Sequence, residues 1–183
     1  MQNNVALASQ SPRRLQILKR FGFNPVIVQT TFQENLLSGA LDAENYAVLA
    51  ARRKAEGALS DLPIVAADTI VVLGRTIFGK PPNADSARQF LSHLSGRWHT
   101  VISAVVLKEG ERQVQTVDHS RVLFKDLSAT QIDRYVASGE PEGKAGAYAI
   151  QGLGSELIAE FQGSFWNIVG FPIESFFKLW QSF

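Results

Sequence analysis

The chain has 183 residues, 45% of them hydrophobic, with 18 basic and 17 acidic side chains and a formal net charge of +1. That length and apolar content suit one domain with a sizeable core, and the even charge balance argues against a broad nucleic-acid footprint without excluding a local basic pocket for a small polyanion. The chain has no cysteine, which excludes disulfides and thiolate metal sites, and the three histidines, His93, His99 and His119, lack zinc-site spacing.

Val5 to Ala8 reads as a short buried strand. It is too brief for a signal peptide and is soon followed by Arg13 and Arg14. No stretch reaches the about 18 apolar residues that span a bilayer, so the cytoplasm is the expected location. Ser11 and Pro12 predict the cap and first turn of a helix with an apolar face opened by Leu15 and Leu18. Pro25 to Val28 predicts a second strand and Thr30 to Gly39 a polar loop. Asp42 predicts the cap of a helix reaching about Leu59, with Ala47, Ala50, Lys54 and Ala58 on one side. Lys54 thus lies among small residues, an odd place for a solvating lysine. Arg52 and Glu56 fall elsewhere on the helix and are expected to pair in solvent.

Ile64 to Leu73 is the most apolar strand, interrupted by Asp68 and Thr69. The turn Gly74-Arg75 joins it to Thr76 to Phe78 in a hairpin. Asn83 predicts the cap of a helix carrying Ala87, Phe90, Leu91 and Leu94 and ending at Ser95-Gly96. Thr100 to Leu107 and Gln113 to Phe124 predict two long strands around Glu109-Gly110. Ser128 and Gln131 form a capping-box pattern. Gly139 to Gly146 reads as a glycine-rich loop, and Leu157 to Phe161 with Phe165 to Val169 as a hairpin around Gln162-Gly163. A last helix begins at Pro172, its Ile173, Phe176, Phe177 and Trp180 forming a core stripe. No repeat or linker interrupts residues 1–183, which are read as one domain, a mixed sheet flanked by helices.

Four stretches carry chemistry. Ser9-Gln10-Ser11-Pro12-Arg13-Arg14 lies where a strand enters a helix; backbone N–H groups and forked guanidinium donors there suit a phosphate, and the plainer alternative is a capped helix with exposed arginines. Asp68, inside an apolar strand, must be paired, bind a metal or face a cleft from a strand end; structural capping of a loop is the alternative. Gly79-Lys80-Pro81-Pro82 is a rigid turn that would hold Lys80 over a cleft, or an ordinary surface turn. In the stretch from Gly139 to Gly152, small residues allow close backbone approach and Gln151 offers a donor and acceptors for a base edge, although Walker spacing is missing; an ordinary flexible loop is the alternative. Ser95 and the histidines lack the Gly-x-Ser-x-Gly context of a serine hydrolase.

These stretches occur together and in order. Leu7-Ala8-Ser9-Gln10-Ser11-Pro12-Arg13-Arg14, Ala67-Asp68-Thr69, Gly79-Lys80-Pro81, Leu94-Ser95-Gly96-Arg97 and the segment Lys144 to Gly152 closely resemble the Maf proteins, over nearly the whole chain. The last segment resembles the dTTP/UTP pyrophosphatase branch, and the run from Gly163-Ser164 to Gly170-Phe171-Pro172 resembles the family's closing motif. The resemblance implies an α/β fold of two lobes with a central cleft, related to the inosine triphosphate pyrophosphatases. It implies hydrolysis of a nucleoside triphosphate to the monophosphate and pyrophosphate with a divalent cation, Mg²⁺ or Mn²⁺. By matching position, Asp68 would accept the proton. Arg13, Thr69 and Gln151 would tune substrate choice, and Ser9, Arg14, Lys54 and Lys80 would line the triphosphate site. Glu34 and Asp68 would hold the metal.

Two positions depart from the family pattern: Gln33-Glu34 replaces a pair of acids, and Gly143 replaces an aspartate before Lys144-Ala145-Gly146. The expected partner is the nucleotide, with no nucleic acid and no membrane, and a homodimer is carried as the candidate assembly. Rival readings are a pyrophosphatase for 7-methyl-GTP or other modified nucleotides, and a nucleotide-binding regulator of cell division with little turnover.

Overall fold

The computed structural model describes residues 3–32 and 42–183. Seven strands form a mixed sheet: β1 (Asn4–Leu7), β2 (Asn24–Ile27), β3 (Ile64–Leu73), β4 (Thr76–Phe78), β5 (Trp98–Glu109), β6 (Arg112–Phe124) and β7 (Ile158–Gln162). The pairing order is β2-β1-β3-β5-β6-β7, with β4 beside β3. β1 is parallel to both β2 and β3, whereas β3–β4 and β6–β7 are antiparallel. Among the described residues, six α-helices flank the sheet: α1 (Pro12–Arg20), α2 (Ala43–Glu56), α3 (Ala84–Leu94), α4 (Ala129–Ala137), α5 (Phe165–Val169) and α6 (Ile173–Ser182). Among the described residues, no helix is long and apolar enough to cross a membrane.

The chain divides into two compact units, and β3, β5 and β6 each contribute to both. The first comprises Met1–Thr69, Ser103–Asp118 and Gly170–Phe183. Its core joins the buried strand residues Val5, Ala6 and Leu7 to Ile17 and Leu18 of α1. The C-terminal aromatic stripe is core, as its spacing predicts: Phe23 meets Phe176 and Trp180 with ring centroids 5.2 and 5.3 Å apart. The second unit comprises Ile70–Ile102 and His119–Val169. There Phe78 meets Phe90 at 5.2 Å, and Leu91, Leu94, Ile132 and Tyr135 are buried.

Three of the four capping signals act as predicted. Asp42 accepts from the Asn45 N–H at 2.8 Å, Asn83 from the Ser86 N–H at 2.8 Å, and Ser128 with Gln131 forms a complete capping box. Three local expectations fail. Helix α2 stops at Glu56 rather than Leu59, because Gly57 ends it and Ala58 bridges to Thr30. Arg52 and Glu56 do not pair: Arg52 donates to Gln115 at 2.6 Å, and Glu56 accepts from Arg53 at 3.3 Å. The hairpin expected from Leu157 to Val169 is half wrong. Residues 158–162 form β7, which pairs with β6, but Phe165–Val169 is the helix α5. Ser164 explains it. Its hydroxyl accepts from the Asn167 N–H at 3.1 Å and its carbonyl from the Ile168 N–H at 3.3 Å, a helix start that overrides the β-rich composition.

Candidate active site

The first unit contains six of the expected residues, Ser9, Arg13, Arg14, Lys54, Asp68 and Thr69. Strand β1 delivers the chain to Ser9, where the hydroxyl accepts from the Ser11 N–H at 3.2 Å. Ser11 stands at the N-cap of α1, but its side chain makes no cap hydrogen bond; that expected role passes to the Ser9 turn and Pro12. Arg14, one residue into the first turn from the half-buried Arg13, is itself buried. The alternative of two exposed arginines therefore fails.

A buried guanidinium requires partners on its donors. Arg14 Nη1 donates to Ser9 Oγ at 3.1 Å, Nη2 to Thr69 Oγ1 at 3.1 Å and Nε to the Gly170 carbonyl at 3.0 Å. Thr69 Oγ1 also lies 3.2 Å from the Gly170 carbonyl and 2.9 Å from Ser103 Oγ. A carbonyl only accepts, so the Thr69 hydroxyl donates to Gly170, and Ser103 must then donate to Thr69. That assignment uses the one donor and both acceptor sites of the Thr69 hydroxyl. Arg14 thus ties the β1–α1 turn, the middle of β3 and the entry to α6 into one piece.

Beside Thr69 on β3, Asp68 is buried, and so is Lys54 of α2. Lys54 Nζ stands 2.6 Å from Asp68 Oδ1. The buried acid inside the apolar strand is paired, and the lysine among alanines is its partner. The chain before residue 33 is fastened to the same helix turn: Thr30 Oγ1 donates to the Lys54 carbonyl at 3.0 Å, and Thr31 N–H to the Gly57 carbonyl at 3.1 Å. Gln33 and Glu34 lie outside the described residues. Among the described residues no group of three or more His, Asp or Glu could hold a metal ion.

The second unit carries Lys80 and Gln151, both exposed. The Gly79 carbonyl, next to Lys80, accepts from the Gly146 N–H at 3.1 Å, so the lysine's turn is fastened to the glycine-rich loop. Gly143, which departs from the family pattern, sits at φ +67°, a left-handed conformation open to glycine and tolerated by aspartate. The loop is anchored by its neighbour instead: Lys144 Nζ donates to the Glu140 carbonyl and, at 3.4 Å, to the Glu142 carbonyl.

Behind the loop, Tyr148 is buried against Phe124, ring centroids 4.7 Å apart, and its hydroxyl lies 2.9 Å from His99 Nε2. His99 Nδ1 faces the Arg97 carbonyl at 3.3 Å. A carbonyl cannot donate, so Nδ1 carries the proton and Nε2 accepts from Tyr148. Burial holds the imidazole neutral, its pKa pushed down to about 4 against the weaker opposing effect of the Arg97 carbonyl. The same burial raises the Tyr148 hydroxyl above its ordinary range. His99 is thus a structural residue of the core, and His119 is exposed.

Sequence reasoning passed over Gly170, Ser103 and Glu140. Gly170 belonged to a recognised stretch, yet nothing marked its carbonyl as the shared acceptor. Ser103 sits in an apolar strand as Asp68 does, and that same signal would have found it.

Comparison with known proteins places the chain in a family. The Maf-like protein family matches residues 4–183. A dTTP/UTP pyrophosphatase from Methylococcus capsulatus is 46% identical over 172 residues, covering 92% of this chain and 85% of that protein. One from Aquifex aeolicus is 39% identical over 182 residues, covering 96% and 93%. Among solved structures, a HAM1 protein from Coxiella burnetii aligns with a TM-score of 0.48 at 14% identity, covering 93% of this chain and 88% of that one. With a match from the fourth residue to the last, the chain belongs to the Maf-like protein family.

Proposed function

We propose that this chain hydrolyses nucleoside triphosphates, dTTP and UTP foremost, to the monophosphate and pyrophosphate. The observation that carries the reading is the buried Lys54–Asp68 pair in contiguity with the Ser9–Arg14–Thr69 network. The names of the relatives, dTTP/UTP pyrophosphatases, supply the substrate.

Cleavage between the α and β phosphorus atoms needs charge neutralisation and an aligned water. Lys54 fixes the Asp68 carboxylate through Oδ1, leaving Oδ2 to orient the water and take its proton as the water oxygen attacks the α-phosphorus. Pyrophosphate departs with the bridging oxygen. Arg13 and Lys80 offset its charge, together with the field of Arg14, whose own hydrogen bonds serve mainly to set the Ser9 turn. Thr69, its hydroxyl fully engaged, acts on substrate choice through Arg14. Gln151 faces the pyrimidine edge.

A donor set with one buried carboxylate fits a hard cation shared with the substrate. Mg²⁺ in particular is commonly held by one or two carboxylates together with phosphate oxygens. Asp68 and Glu34 would hold Mg²⁺ or Mn²⁺, which when bound offsets charge on the phosphates.

A panel of dTTP, UTP, CTP, GTP and 7-methyl-GTP, with and without Mg²⁺ or Mn²⁺ and scored for pyrophosphate and monophosphate, tests the reading. Asp68→Asn should lower kcat by at least about a hundredfold while the protein stays folded, since Asn retains an acceptor oxygen for Lys54. Preference for 7-methyl-GTP, binding without pyrophosphate release, or a folded Asp68→Asn protein of near-normal rate would overturn it.

A further inference from the structure

We propose that Glu140 is a positioning residue for nucleobase selection, acting by holding the backbone on either side of Gln151; this rests on the reading of Gln151 as the group that meets the pyrimidine. The second unit concentrates an unusual number of hydrogen bonds on one carboxylate. Glu140 Oε1 accepts from the Tyr135 hydroxyl at 3.0 Å and from the Gly154 N–H at 2.8 Å, and Oε2 accepts from the Leu153 N–H at 3.0 Å. The Tyr135 hydroxyl in turn accepts from the Ala149 N–H at 3.2 Å. Ala149 lies two residues before Gln151 and Leu153 two after it. One Glu–Tyr pair therefore holds both flanks of the segment that carries the exposed amide.

The intervening Gly152 fits the same construction. It sits at φ +73°, and a Cβ placed there would stand 2.6 Å from Glu140 Oε2. The carboxylate occupies the room that glycine leaves, so Gly152 is required by the close approach as well as by its backbone. Tyr135 is a core residue of α4, while Glu140 follows that helix by three residues. The anchor is thus mounted on a rigid element, the condition for holding a recognition group in register. An aspartate at 140 would be one methylene short of these three contacts. An alanine would leave two N–H groups and a buried phenol without their acceptor.

The geometry makes Gln151 adopt one position without Glu140 touching the nucleotide. A loss at 140 should appear in discrimination and KM before it appears in kcat. The test measures kcat and KM for UTP and GTP in the wild type, Glu140→Ala, Glu140→Gln, Gln151→Ala and the Glu140→Ala/Gln151→Ala double variant, each checked for folding by circular dichroism. Glu140→Ala is expected to narrow the UTP-to-GTP ratio of kcat/KM by about tenfold, mostly through KM, a moderate case of what a displaced group costs. Glu140→Gln, with an acceptor oxygen retained, should fall between it and the wild type. In the Gln151→Ala background the Glu140 substitution should change the ratio no further.

If Gln151→Ala narrows the ratio but folded Glu140→Ala leaves it unchanged, this proposal fails while the reading of Gln151 stands. If Gln151→Ala leaves the ratio unchanged, the reading of Gln151 fails and this proposal goes with it. Should Glu140→Ala not fold, Glu140→Gln and Tyr135→Phe carry the same comparison, and unchanged ratios in both would overturn the proposal.

Discussion

The two units position their functional groups by opposite means. The first buries charge: Arg14, Lys54 and Asp68 are all taken out of water, Arg14 held by hydroxyls and a carbonyl, and Lys54 and Asp68 by each other. The second keeps Lys80 and Gln151 exposed and places the order behind them, in a carboxylate that gathers backbone N–H groups and in an aromatic core closed by a neutral histidine. Buried ionic groups gain stability only as a complete set, since removing one partner strands the other at low dielectric. A loop held by several hydrogen bonds of ordinary strength loses order in smaller steps. The first unit should therefore fail abruptly on substitution and the second by degrees.

The most severe break is expected at the ion pair. Lys54→Met keeps the length and apolar stem of the lysine but leaves the Asp68 carboxylate buried without its cation. Loss of one partner of a buried pair costs about 3–5 kcal/mol, and urea unfolding at neutral pH measures it. A loss under about 1 kcal/mol would mean that Asp68 is solvated well enough to do without the lysine, and the contrast between the units would weaken.

Much of this first unit is legible from the residue pattern, and the reason is physical. Asp68 within Ile64 to Leu73 and Lys54 among alanines are each costly alone, so their presence at buried positions announces a partner. The caps at Asp42, Asn83 and Ser128 are equally readable because each is a local hydrogen bond over three residues. What escapes is non-local or depends on competition. The Gly170 carbonyl reaches Arg14 across 156 positions. Glu140 reaches Gly154 across 14. Phe165–Val169 has strand composition, and the hydroxyl and carbonyl of Ser164 start a helix there instead. Arg13, Lys80 and Gln151 stood out from the residues, but a capped helix, a surface turn and an ordinary flexible loop stayed open as alternatives until the family resemblance gave them roles.

A second break follows from His99. Its pKa in the folded chain, about 4, lies below the ordinary 6.5. Above pH 6.5 the ring is neutral in both the folded and the unfolded chain and contributes no pH dependence. As pH falls below 6.5 the unfolded chain takes up a proton that the folded chain refuses, so stability drops until about pH 4, where the folded ring protonates too. At about 1.4 kcal/mol per pH unit the whole window amounts to about 3 kcal/mol. Unfolding free energies measured from pH 7 to pH 4 should show this decline, and His99→Gln should lose most of it. An equal decline in the variant would assign the acid sensitivity to other groups and remove the histidine as the weak point of the second unit.

The gentlest substitution separates the two anchors within that unit. Tyr148→Phe keeps the ring against Phe124 but removes the O–H that His99 Nε2 accepts. A buried acceptor left without a donor costs about 1–3 kcal/mol, read as a fall in unfolding free energy. Glu140, Tyr135 and the N–H groups they hold do not involve the Tyr148 hydroxyl, so the UTP-to-GTP ratio should stay at the wild-type value. Adding His99→Leu to Tyr148→Phe should restore part of the loss, since two apolar partners leave nothing unsatisfied. A Tyr148→Phe protein that keeps its stability but loses nucleobase preference would invert these assignments, making the aromatic core the selector and the carboxylate the mere support.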